Sequence, residues 1–87
     1  MSDVALARVH DKDYRIIVNA TPQTVESDII SYEEVVLLAY PTPAAETIYS
    51  VVYDKAKKPP HEGELLPERT VEIKEGTEFD VTPTGRS

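Results

Sequence analysis

An α+β fold, a mixed sheet of four to five strands with one helix packed across one face, is predicted by three observations in this 87-residue chain. The run Tyr14-Arg15-Ile16-Ile17-Val18-Asn19 alternates large apolar residues and is rich in β-branched side chains, as a half-buried strand requires. The run Ser31-Tyr32-Glu33-Glu34 has the form of a capping box and opens a helical period. The stretch 70–81 alternates twice around Glu75-Gly76, which gives two closing strands. Two strands, a helix and three strands (ββαβββ) in so short a chain bury one core by laying the helix across the sheet.

The size allows one small domain, near the limit at which a single apolar core offsets the entropy of ordering the backbone. The chain has no cysteine, so a disulfide framework, a thiolate metal site and a thiol nucleophile are excluded. Sixteen acidic and nine basic residues give a net charge of −7, which opposes nucleic-acid phosphates and anionic lipid. Lys55, Lys57 and Lys58 do cluster, but beside Pro59-Pro60 they read as a solvated loop. The first residues lack the apolar run of a signal peptide, and no segment approaches the roughly 20 apolar residues of a membrane span. The expectation is a soluble cytoplasmic protein, monomeric when free, that binds neither nucleic acid nor membrane.

Residues 1–13 show no clear period and read as a flexible arm, followed by a domain over 14–82. After the first strand, Ala20-Thr21-Pro22-Gln23 interrupts the chain and Thr24-Val25-Glu26-Ser27 returns as the second arm of a hairpin. The Ser31 hydroxyl is placed to accept from the Glu34 N–H while the Glu34 carboxylate reaches back, so a helix starts at Tyr32. Ile30 and Val35 hold the staple positions around this cap, and Glu33 and Glu34 suit the positive end of the dipole. Ser31→Ala is expected to cost about 1 kcal/mol in a denaturation experiment.

At 100° per residue Tyr32, Val35, Val36 and Ala39 share the core face with Leu38 on its flank, while Leu37 points to solvent beside Tyr40. Pro41 and Pro43 end the helix. The stretch 47–53 is a strand by composition, and its face with Tyr49, Val51 and Tyr53 is read as buried because large rings cover a helix well. Ile48 and Val52 are then near the surface. A loop over 55–63 follows, Leu65 and Leu66 re-enter the core, and Val71, Ile73, Phe79 and Val81 close the sheet. Residues 83–87 run out without an apolar anchor and read as a flexible tail.

With the first and last strands parallel in the middle of the sheet, this layout is the β-grasp arrangement. The residues themselves resemble the bacterial multi-ubiquitin domain, a branch of the ubiquitin-like proteins. The likeness rests on the strand ending Val18-Asn19, the run Ile30-Ser31-Tyr32-Glu33-Glu34-Val35-Val36, Ala39, the strand ending Tyr53, and Leu65 followed by Val71, Gly76, Phe79 and Val81. Ala20 and Glu68 stand in turns where that family pattern has glycine, and a single Gly85 stands where many such modifiers expose Gly-Gly.

The resemblance implies a protein modifier encoded beside an activating enzyme, a conjugating enzyme and a metallopeptidase, in operons linked to antiphage defence. The chain would be a substrate of catalysis, with no catalytic residue, metal or cofactor of its own. Its reactive group would be the carboxylate of Gly85, exposed after a peptidase removes Arg86 and Ser87. Glycine suits that end because an extended backbone without a Cβ enters a narrow channel, and Pro83, next to Thr84, limits the entropy lost when the tail is gripped.

Three alternatives stay open beside it. A non-conjugated binding module would act through an exposed apolar sheet face with Ile17, Ile48 and Val52, or through Leu37. A sulfur carrier would need a terminal glycine, which Arg86-Ser87 covers. An enzyme would have to work with His10 and His61, which lie in an arm and a loop and have only Glu62 adjacent. Lys12, Lys55, Lys57, Lys58 and Lys74 are possible acceptors for chain building, and the sequence selects none of them.

Overall fold

The computed structural model describes residues 13–44 and 46–86, with positions 85 and 86 described by their backbone alone. The expected N-terminal arm, with His10 and Lys12, lies outside the described residues apart from Asp13, and so does Ser87.

Strand β1 (Tyr14–Val18) pairs antiparallel with β2 (Thr21–Val25), and Val18 stands opposite Thr21. Only Asn19 and Ala20 link them, both with positive φ, 51° and 67°. A two-residue hairpin loop demands this left-handed pair because its twist matches that of the strands. The return therefore begins at Thr21, earlier than the interruption expected over 20–23, and carries Pro22 within the strand. Pro22 is tolerated there because β2 is the edge of the main sheet, whose order is β2-β1-β7-β4-β5.

Ala20 holds the left-handed conformation without being glycine, against a Cβ clash of roughly 1–2 kcal/mol. Ala20→Gly is expected to raise stability by about 0.5–1 kcal/mol, once the extra freedom of glycine in the unfolded chain is subtracted. A higher denaturation midpoint at unchanged m-value is the check, and a lower midpoint would contradict the turn. Glu68 is the second such departure. It has φ 67° at the third position of the turn Leu66-Pro67-Glu68-Arg69, closed by Arg69 N–H donating to the Leu66 carbonyl at 3.1 Å. A turn of this type favours glycine there. The Glu33 carboxylate compensates in part, accepting from the Glu68 N–H at 3.2 Å.

Strand β3 (Ile29–Ser31) runs directly into helix α1 (Tyr32–Ala39). The capping box forms as expected: Glu34 N–H donates to Ser31 Oγ at 3.1 Å, and Ser31 N–H donates to Glu34 Oε1 at 2.9 Å. Val35 and Val36 are buried, Tyr32, Leu38 and Ala39 pack against the core, and Leu37 is 50% exposed. The Tyr32 hydroxyl donates to the Tyr49 carbonyl at 2.7 Å and pins the helix to the sheet.

Beyond the helix come β4 (Thr47–Asp54), β5 (Gly63–Glu64), β6 (Thr70–Glu72) and β7 (Glu78–Arg86). β1 and β7 lie side by side and parallel in the main sheet, with Val18 opposite Phe79, and β4 pairs antiparallel with β7. β6 departs from the expectation that 70–73 joins this sheet. It forms a separate two-stranded sheet with β3, in the register Ile30 opposite Val71, and Ile73 N–H donates to the Asp28 carbonyl at 2.8 Å. The three residues of β3 are too few to show a period, so this pairing is set by where the helix start is tied down.

The core is built from Ile16, Val18, Val35, Val51, Ile73, Phe79 and their neighbours. Tyr49 and Tyr53 are buried with Val51, whereas Ile48 and Val52 are 47% and 46% exposed. The Tyr49 hydroxyl accepts from the Ala44 N–H at 3.3 Å, so it is engaged by the loop beside it. Leu65 is buried but Leu66 is 49% exposed, contrary to the expectation that both re-enter the core. Leu65 N–H donates to the Val51 carbonyl at 2.8 Å, which keeps the backbone extended and turns the next side chain outward.

Buried Thr77 serves the turn before β7. Its hydroxyl donates to the Lys55 carbonyl at 2.8 Å and accepts from the Lys74 N–H at 2.9 Å, while Gly76 takes φ 92°. This turn launches β7 from the middle of the sheet.

Candidate functional site

The site begins where β7 leaves the core. On one side β1 holds it: Ile17 N–H donates to the Thr77 carbonyl and Asn19 N–H to the Phe79 carbonyl, both at 2.9 Å. β1 then turns away at Asn19, and the Asn19 side chain takes over. Val81 N–H donates to Asn19 Oδ1 at 2.8 Å, and Asn19 Nδ2 donates to the Val81 carbonyl at 3.1 Å. Past Val81 no strand lies on this side among the described residues.

On the other side β4 continues to the end. Ser50 stands opposite Thr82, Tyr49 opposite Pro83 and Thr47 opposite Arg86. Between the last two pairs β4 advances by Ile48 alone, while β7 advances by Thr84 and Gly85. Two residues facing one are a β-bulge, a point where the ladder is locally broken. The Thr84 hydroxyl closes the gap by donating to the Ile48 carbonyl at 3.0 Å.

Positions 83–86, expected as a loose tail, are thus the last part of a strand. The reason is the partner rather than the tail itself. β4 starts at Thr47 and offers ladder groups that far, and an extended Thr-Pro-Thr run fits beside it. Val81 directs its N–H to the Asn19 side, so the period of two puts the Pro83 nitrogen on that same strand-free side, where its missing N–H costs no bond.

The four apolar residues considered for partner binding do not share one face. Leu37 is on the helix, which covers the opposite side of the sheet from Ile48 and Val52. Ile17 is on β1, and β7 lies between it and β4 with Glu78 beside Ile17 and Asp80 beside Val52. Glu64 of β5 flanks Val52 on its other side. The outer face is therefore crossed by an acidic stripe. Strand alternation and helical period exposed these residues one by one, and only the tertiary arrangement shows that they are apart.

Lys55 donates to Glu78 Oε2 at 2.9 Å, and Lys58 lies 3.0 Å from Glu72 Oε1. The hydrogen bond that Lys55 donates to the Glu78 carboxylate, with that group's charge, holds the Lys55 ammonium above its ordinary pKa, which makes it a poorer nucleophile. Lys57 and Lys74 are exposed and have no ion pair among the described residues. His61 is used by its own loop: Nδ1 lies 2.9 Å from the Ala56 carbonyl, and Ala56 N–H donates to the His61 carbonyl at 2.9 Å. The described residues contain no group of three side chains that suits a metal ion, and no helix among them is long and apolar enough to cross a membrane.

A mixed sheet with parallel central strands, one capped helix across it and a last strand that carries its glycine out of the core define a ubiquitin-like β-grasp domain. The profile of the Multiubiquitin family matches residues 14–85, and the chain belongs to that family. No curated protein and no solved structure matches it. The residues that sequence reasoning missed are Asn19, as a partner of Val81, and the Thr84 hydroxyl. An asparagine at a strand end was the available signal, since its amide offers both a donor and an acceptor and the residue tolerates positive φ.

Proposed function

We propose that this chain is a bacterial ubiquitin-like protein modifier that is conjugated through Gly85 after removal of Arg86 and Ser87. The observation that carries this reading is the path of β7, which continues from buried Phe79 out of the core to the bulge at Gly85, where the family match also ends. A rigid domain thereby presents one small residue at a defined distance from its core. The chemistry is that of a carboxylate. A carboxylate oxygen of Gly85 attacks the α-phosphate of a nucleoside triphosphate and releases pyrophosphate, an enzyme thiolate attacks the acyl carbon and expels the nucleoside monophosphate to form a thioester, and an amine or hydroxyl of the target displaces the thiolate.

The partners are an activating enzyme, a conjugating enzyme and a metallopeptidase that trims the tail, in the cytoplasm and in the service of defence against phage. The domain supplies no catalytic group to these steps. Mass spectrometry of the protein recovered with its partner enzymes is the test. An adduct joined through Gly85 is the expected result, and an adduct through an intact Ser87 rules the trimming step out.

One observation favours a second reading, a binding module that is never conjugated: Ile48 and Val52 stay half-exposed on the outer face of the sheet. Under this reading Gly85→Ala retains full function.

A further inference from the structure

We propose that Asn19 is a positioning residue for the tail: its side chain clamps Val81 and makes the Val81–Thr82 link the hinge about which 82–86 peel away from β4. The inference deepens the modifier reading and rests on it for its functional part. It stands on geometry alone for the rest.

β7 is held differently along its length. From Phe79 to Val81 the strand is held twice, by β4 and by β1 with its Asn19 amide. From Thr82 onward it is held by β4 only among the described residues, and this remaining contact is weakened where the bulge at Thr84-Gly85 breaks the ladder opposite Ile48. An enzyme that grips Gly85 in an extended channel has to detach these residues from β4 first. Peeling meets little resistance up to Thr82 and then meets the Asn19 clamp.

The clamp is specific in form. An asparagine amide presents an N–H and a C=O in the same arrangement as a peptide group, so the side chain stands in for the next residue of a strand that has already turned away. Its left-handed backbone, φ 51°, is what lets β1 turn and still leave the amide facing Val81. The function of the clamp is to confine opening to the tail, so that the core residues Phe79 and Val81 stay packed while Gly85 is in an enzyme.

Amide hydrogen exchange measured by NMR on the full chain, with Asn19→Gly and Thr84→Val compared with the parent, tests this. Glycine keeps the positive φ, so Asn19→Gly removes the clamp and spares the hairpin. Exchange at Val81 is expected to rise about tenfold, the loss of one to two net hydrogen bonds, while Ile16, Val51 and Ile73 are unchanged. Thr84→Val lies beyond the hinge and is expected to speed exchange within 82–86 and leave Val81 as it was. Unchanged protection at Val81 in Asn19→Gly, an equal rise across the core, or a rise at Val81 in Thr84→Val would each overturn the proposal.

With the partner activating enzyme, Asn19→Gly is expected to raise KM and leave kcat unchanged, because the enzyme then meets a less ordered tail. If the parent chain itself forms no thioester, the modifier reading fails, while the exchange data still decide the role of Asn19.

Discussion

Gly85→Val is expected to lower thioester formation with the partner activating enzyme by about 100-fold or more, the effect of misplacing a reacting atom by about an ångström. Under the proposed modifier function, a carboxylate oxygen of Gly85 has to reach a nucleotide phosphate inside a channel that surrounds an extended backbone. A branched Cβ at the last residue would then collide with the channel wall and turn the carboxylate away from the line of attack. The fold itself is expected to tolerate the change within about 0.5 kcal/mol, since valine suits a strand and position 85 lies past the last core residue of β7. Circular dichroism and a denaturation curve separate the two effects. A Gly85→Val protein that is folded and still fully activated would sink the assignment of Gly85 as the reactive end and leave the binding-module reading in its place.

Phe79→Ala is the substitution expected to damage the fold most, by about 3–5 kcal/mol. Phe79 is fully buried and is the largest side chain so enclosed. It is also central, opposite Val18 of β1 on one side and Tyr53 of β4 on the other. Truncation leaves a cavity at the point where the two central strands, the helix and β4 meet, and strands fixed in a ladder collapse into it poorly. A chain of this length has a total stability of roughly 4–13 kcal/mol. The variant therefore loses a large share of it, and the denaturation midpoint is expected to fall accordingly. A loss below about 1 kcal/mol would mean that the core does not centre on Phe79.

Much of the fold was legible because its signals are local. The capping box needs only Ser31 and Glu34, three residues apart, and both of its hydrogen bonds form. Alternation sorted Tyr49, Val51 and Tyr53 inward from Ile48 and Val52, because successive strand residues have no choice but to face opposite sides. The glycines missing at 20 and 68 marked two turns correctly, and both positions keep the left-handed backbone that glycine would have supplied at less cost.

Where reading failed, the partner was distant. The stretch 70–73 reads as a strand of the main sheet, but its partner is β3, a three-residue strand about 40 residues away in sequence that no local pattern marks. Leu66 looked like its neighbour Leu65 until the Val51 carbonyl fixed the backbone between them.

The sequence by itself determined the first strand, the capped helix and its core face, the buried face of β4 and the family, since each depends on residue types within a few positions. Only the tertiary structure decided the state of the C-terminal stretch. Its own residues, Pro83 to Arg86, carry no apolar pattern and read as loose. Their placement comes from β4, which pairs with them through a bulge, and from Asn19, which holds Val81 from 62 residues away. A strand is defined by what lies beside it, and no local window of the chain contains that neighbour.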